Sequence, residues 1–122
     1  MGFFDFINKK ESAIDFSDEK VELLSKLIDQ LGDTLIKSGF GFYVARLSEI
    51  RLSATQRDKE KFKELVVSPD LFGGAGALWE IWIEDTDLRK KFEREFCRLV
   101  DHLKDIGIKN GRVDQVRKGF KI

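Results

Sequence analysis

The chain is poor in the residues that most often announce a chemistry. Cys97 is the only cysteine in 122 residues, so an intrachain disulfide and a site built from several thiolates are both excluded. A reducing compartment fits that usage. His102 is the only histidine, and any dyad or metal site would have to be built around one imidazole. The single proline, Pro69, leaves almost the whole chain free to be helical. Neither sign of charge is in excess: Lys plus Arg and Asp plus Glu both total 22. No global field therefore recruits nucleic acid or an anionic membrane. No run approaches the roughly 18 to 20 apolar residues of a membrane-spanning helix. The start, MGFFDFINKK, lacks the basic region and longer apolar run of a signal peptide. The myristoylation pattern fails as well, because Phe6 stands where Ser or Thr is required. A cytoplasmic protein without a membrane span is the expectation.

What is present describes a globular domain. Hydrophobic residues make up 42% and charged residues 36%, away from the composition of chains that stay disordered, and the length suits one core rather than two. The charge is laid out unevenly. Residues 70–106 carry nine acids against six bases, whereas residues 107–122 carry five bases (Lys109, Arg112, Arg117, Lys118, Lys121) against Asp114. Residues 1–16 form an amphipathic lead-in, whose FFDFI segment is expected to dock on the protein's own domain. Residues 107–122 form a basic tail, either solvated or lying against the acidic middle.

Apolar residues recur at three- and four-residue spacing almost throughout, which predicts an all-α fold. A helix capped by Ser17 is expected over Asp18 to Lys37, with Val21, Leu24, Leu27, Ile28, Leu31 and Leu35 as its stripe and Ser38-Gly39 as its stop. FGFYVARLSEIRLSA predicts a second helix with a buried aromatic start. A charged third helix from about Thr55 to Val67 offers only Phe62, Leu65 and Val66 to the core. The strongest pattern runs from Thr86 or Asp85 through Leu88, Phe92, Phe96, Leu99, Val100, Leu103 and Ile106. There Gly107 followed by Ile108 writes a Schellman cap. A short helix through Val113 and Val116 follows. The expected architecture is a compact single-domain bundle of five to six helices around the Thr86–Ile106 rod.

Between the third helix and the rod lies DLFGGAGALWEIWIEDTD. A phosphate cradle needs glycine-rich backbone after a strand, then usually a lysine and a hydroxyl; GGAGALWE follows a proline and has neither. Packing accounts for the glycines better. Gly73 and Gly74 are expected to take positive φ and turn the chain, while Gly76 and Ala77 let another helix approach. A helix from about Ala75 to Glu84 would place Leu78, Ile81 and Trp82 on one side and Trp79 and Ile83 on the other, so it would be sandwiched or partly exposed to a partner.

The run LFGGAGALWEIWI, with Phe62 and Leu65 before it and one long helix after it, resembles a group of small bacterial helical proteins. Their signature is of the type Phe-Gly-Gly-x-Gly-Ser-Leu-Asn-Asp, and some members are candidate toxin-immunity proteins. The resemblance covers roughly residues 20–106 and is carried by Phe72, Gly73, Gly74, Gly76 and Leu78. Here Ala77 replaces the Ser, and Trp79-Glu80 replace the Asn-Asp. It implies a helical fold with no characterised enzyme activity and, on the pattern of those members, a toxin as partner.

Catalytic constellations are not evident. Cys97 and His102 lie five apart on one predicted helix, about 140° around it at roughly 100° per residue, and cannot pair there. Cys97 is expected to be an inert thiol at the edge of the apolar face. His102 with Asp101 or Asp105 would be the core of a small metal-dependent or ligand-binding protein, in the row Glu93, Cys97, Asp101, Asp105. Lys90, Arg94, Arg98 and Lys104 interleave with that row as in a solvated helix face. The tail has the charge for nucleic acid but only Phe120 to stack a base, so nucleic acid is not the expected partner.

The sequence therefore points to a non-catalytic protein-binding protein without cofactor or metal, on the immunity pattern. It would neutralise a toxin by occlusion through Trp79, Glu80, Glu84, Asp85 and Asp87, with Trp79 as the buried anchor. A homo-oligomer hiding Phe72, Trp79 and Trp82 is the structural alternative.

Overall fold

A computed structural model describes residues 14–122; the expected docking of FFDFI lies outside the described residues. The fold is all-α, a single domain, and no strand occurs among the described residues. Helix α1 spans Asp18–Lys37, the bounds the apolar stripe predicts. Ser17 takes the N-cap position, yet its side chain makes no capping bond; instead the Asp15 carboxylate accepts from the Ser17 amide at 2.9 Å. At the other end Gly39 has φ +86°. The amides of Gly39 and Phe40 donate back to the Ile36 and Leu35 carbonyls at 3.2 and 2.8 Å, a Schellman closure.

A 3₁₀ turn at Gly41–Tyr43 leads into α2, Val44–Thr55. The aromatic start divides: Tyr43 is buried, but Phe42 is 70% exposed, because the tight turn points consecutive rings in different directions. Arg57, with φ +57°, reverses the chain. Its guanidinium donates to the Phe16 carbonyl and pairs with Asp18, tying the α2–α3 corner to the start of α1. Asp58 then caps α3, Lys59–Val66, by accepting from the Lys61 amide. Helix α3 begins later than its charge pattern suggests and buries Phe62, Leu65 and Val66 as expected. Phe62 meets Phe16 edge-on with centroids 5.1 Å apart.

Pro69 does more than end α3. It occupies the first turn of a four-residue helix, α4, Pro69–Phe72, where a missing amide and a fixed φ cost nothing. The long rod follows as α5, Thr86–Ile106, capped by the Asp85 side chain and closed at Gly107 (φ +128°) with Ile108 donating to the Leu103 carbonyl at 3.0 Å. Asn110 caps α6, Gly111–Gly119, through two amides.

Helix α5 lies against α1, α1 against α2 and α2 against α3, while α6 bridges α5 and α4. Phe92, Phe96, Leu99, Val100, Leu103 and Ile106 of the rod are all buried, each worth roughly 1.5 to 3 kcal/mol for a large apolar side chain. Phe96 touches rings from two other elements: Phe72 at 6.0 Å and Phe120 at 5.3 Å. The basic tail lies against the acidic middle. Arg117 of the tail grips Asp101 at 2.8 Å, while a second pair runs the other way, from Lys104 of the rod to Asp114 of the tail at 3.0 Å. Among the described residues no helix is long and apolar enough to cross a membrane.

Candidate functional site

The predicted Ala75–Glu84 helix does not form. Gly76 takes φ +87°, Ala77 is extended with ψ 155°, and only Leu78–Glu80 make a 3₁₀ turn before Ile81 extends again at ψ 146°. Two extended residues on either side of three helical ones break a 3.6 period. In the extended stretch the side chains alternate: Ile81 is half-buried, Trp82 points out and Ile83 points in. That two-residue period is what made the segment look apolar on both faces when it was read as a helix.

The glycines serve this turn in ways the sequence reading assigned to the wrong positions. Neither Gly73 nor Gly74 has positive φ; Gly76 does. A Cβ on Gly73 would stand 2.6 Å from the Pro69 carbonyl oxygen, whereas one on Gly74 or Gly76 would meet nothing within 4 Å. Close approach is therefore at Gly73, to the backbone of α4, and not at Gly76. The turn's carbonyls are held by side chains from elsewhere. Tyr43 donates to Gly76 at 2.6 Å, the Trp79 indole to Gly73 at 2.7 Å, and Arg112 to Phe72 at 2.7 Å and to Gly73 at 3.1 Å. The amides of Gly73 and Ala77 are occupied by the Pro69 and Gly74 carbonyls. Phe72 and Leu78 are buried beneath. Burial, with the carboxylates of Asp70 and Glu80, raises the Tyr43 phenol above its ordinary pKa.

These bonds exchange the roles of the two tryptophans. Trp79, expected as the outward anchor, is half-buried against the core, with the Arg112 guanidinium 5.5 Å from its ring centroid. Trp82 is the exposed one, at 66%, and Arg89 lies 4.2 Å over its ring while donating to the Ile83 carbonyl at 2.9 Å. Of the four expected carboxylates, Asp85 is committed to the fold, accepting from the Leu88 amide at 2.9 Å. Glu80, Glu84 and Asp87 are exposed, and no salt bridge among the described residues engages them. Beside Trp82 an open cleft of about 490 Å³ runs between the turn and the end of α6, walled by Trp79, Trp82 and Phe120 with Glu80 and Glu93 at its edge. Phe120, Glu93 and Arg89 also border this surface, which residue spacing alone does not indicate. Phe120 follows the end of α6 and Glu93 belongs to α5, so only the tertiary fold brings them there.

The residues of the alternative site, His102, Asp101 and Asp105, line one open cleft of about 390 Å³ with Leu23, Leu27 and Arg98, though two of them are engaged elsewhere in the fold. His102 is buried at 6% and its Nε2 lies 2.8 Å from the Lys20 carbonyl of α1; Asp101 is gripped by Arg117. The charged face expected there is exposed at Lys90, Arg94, Arg98, Asp101, Lys104 and Asp105, whereas His102 turns inward, as does Glu95 on another side of the rod, buried at 7%. Thr34 of α1 donates to Glu95 at 2.5 Å, and Lys91 donates to Thr34 at 3.1 Å. Among the described residues no group of three or more His, Cys, Asp or Glu side chains is placed to hold a metal ion. Cys97 is buried, and burial pushes its thiol above the ordinary value, which leaves it protonated and a poor nucleophile at neutral pH.

Comparison with protein-family models, with curated proteins and with solved structures gave no match to this chain. The resemblance to the glycine-signature group thus rests on Phe72, Gly73, Gly74, Gly76 and Leu78, and in this fold all five serve the turn that carries the tryptophans.

Proposed function

We propose that this chain is a non-catalytic protein-binding protein of the immunity type, which occludes the working surface of a toxin partner through the face carrying Trp82, Glu80, Glu84 and Asp87. The observation that supports it is the presentation of Trp82. A large aromatic side chain is exposed at 66% on a backbone that buries both of its isoleucine neighbours more deeply, and its ring is held by Arg89. An exposed aromatic anchor that is already ordered loses little side-chain entropy on binding. Tryptophan is also the residue most enriched at binding hot spots. The three unpaired carboxylates around it would steer a basic partner to the face. Trp79 contributes as a wall of the adjacent cleft, not as the anchor.

The test is a partner isolated from native cells, purified, and titrated against the wild type and variants. Trp82→Ala is expected to weaken binding about 30-fold, the effect of losing a hot spot of about 2 kcal/mol. A Kd unchanged in that variant removes this face from the proposal.

A further inference from the structure

Two tryptophans of the turn each carry an arginine from elsewhere in the chain, Arg89 over Trp82 at 4.2 Å and Arg112 near Trp79 at 5.5 Å. The molecule thus shows twice that these rings take a guanidinium. Arg89 itself lines the cleft beside these rings, but its guanidinium is already committed. Arg89 is directed at the Ile83 carbonyl and Arg112 at the Phe72 and Gly73 carbonyls. At the cleft edge, Glu80 and Glu93 carry carboxylates that no salt bridge among the described residues engages. Aromatic walls with unpaired carboxylates at the rim complement a cation that is flat, weakly hydrated and able to fork onto a carboxylate. An arginine side chain meets all three requirements, and a lysine ammonium only the charge.

We infer that the cleft walled by Trp79, Trp82 and Phe120 receives an arginine side chain of a basic partner protein, with its guanidinium stacked on an indole and hydrogen-bonded to Glu80 or Glu93. The inference rests on the binding-face reading above and names what that face recognises. Lys121 also lines the cleft, on the exposed last residues of the chain. It brings a second cation to the same cleft, so removing it should favour the incoming arginine.

The probe is an acetylated and amidated Gly-Gly-Arg-Gly-Gly peptide, with its lysine counterpart, titrated into the isotope-labelled full-length protein. The Trp79 and Trp82 indole N–H resonances are expected to shift together. The arginine peptide is expected to bind about tenfold more tightly than the lysine peptide. Glu80→Gln with Glu93→Gln should weaken it about tenfold or more, and Lys121→Ala should tighten it. Shifts that avoid both indoles, equal affinity for the two peptides, a double variant that binds as well as the wild type, or weaker binding by Lys121→Ala would each overturn the inference. The broader reading fails separately. A protein partner lost in Trp82→Ala but indifferent to the double glutamine variant leaves the face standing and removes the arginine. A protein partner indifferent to Trp82→Ala, with the arginine peptide binding as expected, does the reverse.

Discussion

Arg89 lies over the exposed ring of Trp82, its guanidinium carbon 4.2 Å from the centroid, and donates from the same group to the Ile83 carbonyl at 2.9 Å. The bond to the backbone fixes the guanidinium, and the guanidinium fixes the indole. Trp82 is therefore biased toward this orientation although most of it is exposed. Trp82→Ala is expected to change stability by no more than about 0.5 kcal/mol, the range for surface positions. Trp79→Ala removes a half-buried ring and its bond to Gly73, and should cost several times more. Urea unfolding of the two variants checks the contrast. Acrylamide quenching gives an independent check, since most of the quenchable fluorescence should vanish with Trp82→Phe.

Charge reversal at Glu84 and Asp87, both exposed, is expected to slow association with a basic partner by about tenfold at low salt while leaving dissociation nearly unchanged. Steering charges act on encounter and are screened by added salt. Stopped-flow association rates at two ionic strengths check both halves of that statement.

The glycines should rank by their geometry. Gly73→Ala drives a methyl to 2.6 Å from the Pro69 oxygen and 2.8 Å from its Cα, both backbone atoms, and is expected to cost about 1 to 3 kcal/mol or displace α4. Gly76→Ala meets no atom but must hold φ +87°, at about 1 to 2 kcal/mol. Gly74→Ala has neither difficulty and should be nearly neutral. Thermal melts of the three variants give the order directly.

Within the core, Phe96 at 1% exposure stacks on Phe92 and meets Phe72 and Phe120. Phe96→Ala is expected to destabilise by about 3 to 5 kcal/mol, enough to unfold many domains. A melting temperature equal to that of the wild type would remove the rod from the centre of the fold. The polar contact on the opposite side behaves differently. Thr34→Val leaves buried Glu95 without its hydroxyl donor at about 1 to 3 kcal/mol, whereas replacing both partners with apolar residues should recover part of that loss.

Stability should fall at alkaline pH. Burial raises the pKa of Cys97 above 9.0 and that of Tyr43 above 10.0, so the folded chain holds both protons more tightly than the unfolded one. Their stabilising contribution is complete below pH 9 and is lost as pH rises through the raised folded values. Cys97→Ala should remove the first part of that decline in urea midpoints measured from pH 8 to 11.

The residue pattern made the rods legible and left the connections between them less so. Helices α1 and α5 follow from stripes of five or more apolar side chains closed by glycine, because local spacing and a local cap suffice to define them. The Trp-bearing turn does not follow, since Gly76 at positive φ and the extended pair around Ile81 are selected by bonds from Tyr43 and Arg112, residues 33 and 39 positions away at the closest bond. The alternation of Ile81, Trp82 and Ile83 was in the sequence, but three residues between glycines and an acidic run are too few to set a two-residue period against a helical one. Glu95 and His102 fall at stripe spacing on α5, between Phe92 and Leu99 and between Leu99 and Ile106. Their polarity argued for solvent; what admits them is Thr34 and the Lys20 carbonyl on α1, which periodicity does not reveal.

Arg112 fastens the Phe72 and Gly73 carbonyls from a helix that begins 38 residues after Gly73. The turn is anchored at its start by Arg112 of α6, at Gly76 by Tyr43 and at its end by Arg89 of α5, so undocking of α6 frees its beginning first. Amide hydrogens near residue 73 should then exchange with solvent together with those of 111–119, and faster than those near Ile83. Proteolytic nicking near Lys109 would loosen the Phe72–Gly73 end while Arg89 still holds Trp82.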